Sequence, residues 1–207
     1  MNSYNQEKSK LVNTVFSRIY KNYDLMNDIM SFGVHRLWKK NLINWMAPQK
    51  GNKIIDVASG TGDLAKIISK KNNNQNNIYC VEPNLGMLET GKKKLNYLKN
   101  IKWYLCPAEK LPFKENTFDF YTISFGIRNV TDINKCLKEA FRVLKPGGRF
   151  FCLEFSKVEN EILNLFYQNY SKLIPIFGKM IVGSSDPYEY LVKSINKFYD
   201  QNELAEL

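Results

Sequence analysis

The run Asp56-Val57-Ala58-Ser59-Gly60-Thr61-Gly62-Asp63 constrains this chain more than any other stretch. It follows the apolar pair Ile54-Ile55 and precedes Leu64-Ala65-Lys66-Ile67-Ile68, which reads as the start of a helix. A strand that ends on an acid, passes through small residues and restarts as a helix is the opening unit of a nucleotide-type α/β sheet. Ligands of such sheets sit outside the carboxyl ends of the strands. Gly60 and Gly62 would let the backbone take positive φ and approach a ligand closely. A bare tight turn between strand and helix fits the same two glycines, so the rest of the chain has to decide between them.

The chemistry of the turn argues against phosphate. A phosphate cradle needs exposed N–H groups with a Lys, or the spacing GxGxxG, and here Ala65 stands where the third Gly would fall. Asp56 and Asp63 bracket the turn with negative charge, which repels a pyrophosphate and suits an ammonium or a sulfonium. S-adenosylmethionine carries both.

At 207 residues the chain fits one domain with a sizeable core. Thirty basic against twenty acidic side chains give a formal charge of +10. That excess suits nucleic acid or an anionic membrane surface. The lysines are dispersed, however, and accompany the Asn-rich run from Asn72 to Asn77, so a Lys- and Asn-rich composition accounts for the larger share. Cys80, Cys106, Cys136 and Cys152 show no CxxC pairing and no His cluster, so no metal site is expected and a reducing, cytoplasmic compartment is the simplest setting. No apolar run reaches the ~18 residues of a membrane span, so any membrane contact is expected to be peripheral.

Leu11, Val12, Val15, Phe16, Ile19, Tyr20 and Tyr23 recur at helical spacing and predict an amphipathic helix over about 8–23. A Met-rich turn over 26–33 and a second helix near 34–46 complete an N-terminal helical cap, residues 1–50. The α/β domain is expected over 51–207, one structural domain with the cap. Strands are predicted at 53–57, 78–82, 101–105, 118–124 and 149–155. Helices follow at 64–69 and beyond, 86–98 and 132–144, then at 162–174 and 184–198, with a break over 175–183.

Glu82 closes the second strand about 20 residues past the glycine turn, where an acid meets the ribose hydroxyls of an adenine nucleoside. It also fits a charge at a helix N-terminus. The loop Cys106 to Phe113, stiffened by Pro107 and Pro112, is placed to edge an adenine ring. Strand four delivers Ser124-Phe125-Gly126-Ile127-Arg128-Asn129 to the same edge as Asp56 and Glu82.

With these residues in view the chain resembles class I S-adenosylmethionine-dependent methyltransferases. It resembles one family closely, the ubiquinone/menaquinone biosynthesis C-methyltransferases (the UbiE family). The resemblance rests on residues 21–28, 30–39, 56–63, 108–113, 122–131 and 142–148. It implies methyl transfer to a ring carbon of a prenylated quinol, either demethylmenaquinol or the methoxy-benzoquinol precursor of ubiquinone. The family's cofactor contacts fall on Thr61, Glu82, Pro107, Ala108 and Ser124, beside Asp56, Gly60 and Gly62 of the turn. Glu82 is Asp in many relatives, and Pro107 departs from the usual Asp or Asn, lacking a side chain to bond the adenine amino group.

A quinol carbon becomes nucleophilic only as a neighbouring hydroxyl loses its proton, and it must then be held in line with the methyl group. Arg128 and Asn129 are the candidates to orient or polarise the quinol oxygen, Arg128 acting by charge because it stays protonated. Tyr23 is the candidate to line the acceptor pocket. A loop salt bridge for Arg128, a turn role for Asn129 and core stacking for Tyr23 are the plainer alternatives. His35, the single histidine, reads as a helix-start residue and is kept off the catalytic set.

A nucleic-acid methyltransferase is the nearest rival, but strand four is followed by Ser124-Phe125-Gly126-Ile127 where amino-methylating enzymes resemble one another in an Asn/Asp-Pro-Pro-aromatic motif. Nucleic acid is therefore not expected as a partner; a homodimer or a quinone-biosynthesis complex is left open. The family continues with a helix and two further strands, so the C-terminal strands are expected to be missing. A truncated, non-catalytic fold is the second rival.

Overall fold

The computed structural model describes residues 3–20, 23–157, 167, 170, 174 and 186–207. Among them five strands form one all-parallel sheet in the order β3-β2-β1-β4-β5: β1 Lys53–Val57, β2 Asn77–Val81, β3 Ile101–Tyr104, β4 Phe118–Ser124 and β5 Leu144–Leu153. The cap helices are α1 Ser3–Ile19, α2 Tyr23–Ser31 and α3 His35–Met46. Crossover helices are α4 Asp63–Lys71, α5 Leu85–Lys94 and α6 Ile133–Val143, and α7 Asp186–Asn196 and α8 Gln201–Glu206 follow the sheet.

Register fixes where chemistry can occur. Val57 stands opposite both Val81 and Ile123, and Ser124 opposite Leu153, so β1, β2, β4 and β5 end at one edge. Successive strand residues point to opposite faces. Ile55, Val57, Val81, Tyr121 and Ile123 bury one face beneath Cys136, Ala140 and Val143 of α6. Ile54, Ile78, Cys80 and Phe120 bury the other beneath Leu64, Ala65 and Ile68 of α4 and Leu42, Ile43 and Met46 of α3. The last cap helix is therefore part of the sheet's own core. A third cluster joins Val15, Met26 and Met30 of the cap to Tyr188, Leu191 and Ile195 of α7.

Three differences from the sequence reading have physical causes. The Met-rich stretch is the helix α2 and not a turn, because Met26 and Met30, four residues apart, bury on one face against Val15 and Tyr188. The fifth strand begins at Leu144 and runs through Pro146-Gly147-Gly148 as an irregularity between Phe118 and Phe120; it ends at Leu153 and leaves Glu154 and Phe155 beyond it. Asn84 caps α5 by accepting from the Met87 N–H, so Glu82 stands two residues outside that helix. The stretches predicted as a helix over 162–174 and a break over 175–183 lie, except for 167, 170 and 174, outside the described residues.

Candidate active site

The turn after β1 places three left-handed residues among five: Ala58 (φ 52°), Gly60 (φ 56°) and Gly62 (φ 82°). A Cβ on Gly62 would stand 2.7 Å from Leu95 and 2.8 Å from Trp103, so the position needs glycine for space as well as for φ. Glu82 holds the turn. Its Oε2 accepts from the Gly60 N–H at 2.9 Å and its Oε1 from the Asn84 N–H at 2.9 Å, which ties the turn after β1 to the turn after β2.

Lys39, Asp56, Ala58, Ser59, Thr61, Asp63, Leu64 and Ser124 line an open pocket at this edge. Asp56 Oδ1 accepts from the Thr122 hydroxyl at 2.9 Å. Its Oδ2, the Ser59 Oγ and the Ser124 Oγ are buried and have no hydrogen-bond partner among the described residues. Buried polar atoms are ordinarily satisfied, so three orphans in one pocket mark a place for polar ligand groups. Burial pushes the Asp56 carboxyl up to about 7 against the lowering hydrogen bond from Thr122. Burial also raises Glu82 to about 7, although the Asn84 and Gly60 amides favour its ionised form. Asp63, at the first position of α4, is 2.8 Å from Lys94 Nζ and 3.6 Å from Lys39 Nζ.

Beyond Ser124 the chain makes a 3-10 turn, Ile127–Asn129. Arg128 is buried. Its Nη1 donates to Glu154 Oε1 and to the Phe125 carbonyl at 3.0 Å, its Nε to Ser194 Oγ at 3.3 Å, and its backbone N–H to Glu154 Oε2 at 3.4 Å. Burial pushes the Glu154 carboxyl above its ordinary range while the charge of Arg128 pulls it back. Asn129 Oδ1 accepts from the Tyr190 hydroxyl at 2.9 Å. The salt bridge weighed for Arg128 is thus formed, and its acid is Glu154.

The pocket gathers Asp56, Thr61 and Ser124, with Gly60 and Gly62 in its turn and Glu82 behind it. Pro107 and Ala108 are not among its lining residues. Pro107 is exposed with its carbonyl accepting from the Lys110 N–H at 3.3 Å, and Ala108 packs into the core beside Leu111 and Ile127. Tyr23 opens α2, and its side chain lies outside the described residues. His35 is buried with Nδ1 2.9 Å from Ser31 Oγ, and its own N–H donates to that hydroxyl, so it locks the start of α3.

The sequence reading missed two features. Lys39 enters the pocket from the cap. Trp38, Phe125 and Phe155 form an aromatic wall, with ring centroids 6.4 Å (Trp38–Phe125), 6.0 Å (Trp38–Phe155) and 4.8 Å (Phe125–Phe155), and the Arg128 guanidinium 5.7 Å over the Phe155 ring.

The parallel sheet, the acidic strand end and the glycine turn define a class I S-adenosylmethionine-dependent methyltransferase. Solved structures agree on the fold. A methyltransferase of Thermotoga maritima matches with TM-score 0.63 at 23% identity, covering 93% of this chain and 77% of that one. One of Aquifex aeolicus matches with TM-score 0.56 at 20% identity, covering 70% and 85%. The ubiE/COQ5 methyltransferase family model matches residues 2–207, and the chain belongs to that family. The ubiquinone/menaquinone biosynthesis C-methyltransferase UbiE of Rickettsia bellii is 52% identical over 204 residues, 95% of this chain and 82% of that protein. The UbiE of Brucella abortus is 49% identical over 205 residues, 96% and 76%.

Proposed function

We propose that this chain methylates a ring carbon of a prenylated quinol, demethylmenaquinol or the methoxy-benzoquinol precursor of ubiquinone. Family membership supports the reaction class, and the observation that carries the site is the set of orphaned atoms, Asp56 Oδ2, Ser59 Oγ and Ser124 Oγ, beside an aromatic wall. S-adenosylmethionine supplies an electrophilic methyl on a sulfonium. Asp56, Gly60, Thr61, Gly62 and Ser124 hold it at the strand edge, with Glu82 at the ribose and the loop of Pro107 and Ala108 at the adenine. The two N–H bonds of Glu82 leave it acceptor capacity, because each carboxylate oxygen has two lone pairs.

On the acceptor side Trp38, Phe125 and Phe155 give a flat ring an apolar surface and exclude water, with Tyr23 and Asn129 further acceptor contacts. Arg128 contributes fixed positive potential where a quinol oxygen gains negative charge as its proton leaves. Glu154, the Phe125 carbonyl and Ser194 hold that guanidinium in one orientation. Membrane contact, where the isoprenoid tail would reside, is peripheral in this reading: among the described residues no helix is long and apolar enough to span a bilayer.

Arg128→Ala alone leaves Glu154 buried and uncompensated, a change that costs about 3–5 kcal/mol of stability. The informative variant is Arg128→Gln with Glu154→Gln. Mass spectrometry of quinols incubated with purified protein and S-adenosylmethionine is expected to show a C-methylated product. The double variant should lose at least about a hundred-fold in turnover, with cofactor affinity within about two-fold of the parent. Full activity in the double variant would remove Arg128 from the mechanism, and no product from either quinol would remove the substrate assignment.

A further inference from the structure

We propose that Lys39 is the anion-recognition residue of the cofactor pocket, contributed by the cap to hold the carboxylate at the amino-acid end of S-adenosylmethionine. The inference rests on the cofactor reading above and adds a residue and a ligand group to it.

Lys39 follows from the packing of α3. Leu42, Ile43 and Met46 of this helix bury against the sheet, and one turn earlier the same face delivers Lys39 to the strand edge. Its side chain is only 7% exposed, unusual for a lysine, which ordinarily keeps its ammonium in water. Among the described residues that line the pocket it is the basic one.

Among the described residues the Lys39 ammonium makes no hydrogen bond. Its ion-pair contact is with Asp63 at 3.6 Å, longer than a hydrogen bond. Asp63 is also engaged at 2.8 Å by Lys94. Asp56, another acid of the pocket, is fully desolvated and bonded to Thr122, and only part of it is ionised near neutral pH. A buried ammonium needs pairing and hydrogen bonds, and it has three protons to donate. A carboxylate entering the pocket meets that need.

The ligand has the matching pattern. Its amino-acid end carries one anion and one cation close together, and its sulfonium adds a second cation. The acids Asp56 and Asp63 suit the cations, and Lys39 is left for the anion. Lys39 Nζ also lies 5.9 Å from the Phe125 ring centroid, so the residue that reads the carboxylate touches the aromatic wall of the acceptor side.

Calorimetric titration of purified protein with S-adenosylmethionine and with decarboxylated S-adenosylmethionine, which lacks only the carboxylate, tests the assignment. The parent is expected to bind the intact ligand at least about ten-fold more tightly. Lys39→Met should weaken the intact ligand by about ten- to a hundred-fold and leave the decarboxylated one within about two-fold, so that the preference disappears. Equal weakening of both ligands, or unchanged affinity for the intact one, would overturn the proposal. So would a parent that binds both equally. If Lys39→Met does not fold by circular dichroism, Lys39→Arg serves: it should keep the preference, and a folded Arg variant that binds both ligands alike overturns the assignment. A parent that binds neither ligand overturns the cofactor reading itself, a distinct result.

Discussion

Asp56 and Glu82 are the residues on which stability and binding pull in opposite directions. Both are buried carboxyls raised from ordinary values of about 4 to about 7, and they interact, so they titrate as a pair. The folded protein holds protons there that the unfolded chain releases between about pH 4 and 7. Their contribution to stability is therefore complete below about pH 4, declines by up to about 1.4 kcal/mol per pH unit per group as pH rises toward 7, and is absent above it. Urea midpoints of the ligand-free protein should fall between pH 5 and pH 8, and Asp56→Asn should flatten that slope; a steeper slope in the variant would contradict the assignment. Neither residue's burial was readable in the sequence. Their positions were, because an acid directly after an apolar strand, and another about 20 residues on, mark the edge of such a sheet. Lys39 was not singled out, because a lysine in a helix ordinarily lies on the wet face, and only the angle at which α3 packs turns it inward.

At the scale of elements, the loops after β1 and β4 touch. A Cβ on Gly126 would stand 2.5 Å from the Ala58 Cβ, nearer than real Cβ contacts allow. Gly126→Ala should therefore force the two loops apart, costing about 1–3 kcal/mol and weakening cofactor affinity. Ala58→Gly in the same protein should restore both, since it removes the clashing methyl and relieves a left-handed alanine. Urea midpoints with S-adenosylmethionine titrations read the outcome, and failure of the second change to rescue the first would show that the contact is not the cause. β1 and β4 were legible to the residue, because β-branched and aromatic runs bounded by turns admit little else. α2 was not: Asn27, Asp28, Ser31 and Gly33 read as turn chemistry, and burial of Met26 and Met30 against α7, more than 150 residues later in sequence, overrides it.

At the scale of the molecule, cap and sheet share structure at several points. Lys8 Nζ donates to the Val130 carbonyl at 2.6 Å, and Asn84 Nδ2 to Asn13 Oδ1 at 2.5 Å and Ser17 Oγ at 2.9 Å, so α1 reaches both the acceptor loop and the turn after β2. Arg18 pairs with Asp186 at 3.0 Å on the surface. With α3 in the sheet's core, we expect one cooperative unfolding transition. Trp38 and Trp45 report the cap and Trp103 the sheet, so tryptophan fluorescence and far-ultraviolet circular dichroism should give coincident urea curves. Two separated transitions would show a cap that folds by itself. The aromatic wall shows why this level escaped sequence reading: Trp38, Phe125 and Phe155 lie in three distant segments, each alone indistinguishable from ordinary core.

The clamp of Glu82 on the Gly60 and Asn84 amides bears on how cheaply small molecules can be caught at this edge. A turn already fastened in place surrenders little chain freedom when a guest arrives, so the entropic toll of capture falls chiefly on the guest. Rigid nucleoside fragments, which have little freedom of their own to lose, should therefore be held with high affinity per atom.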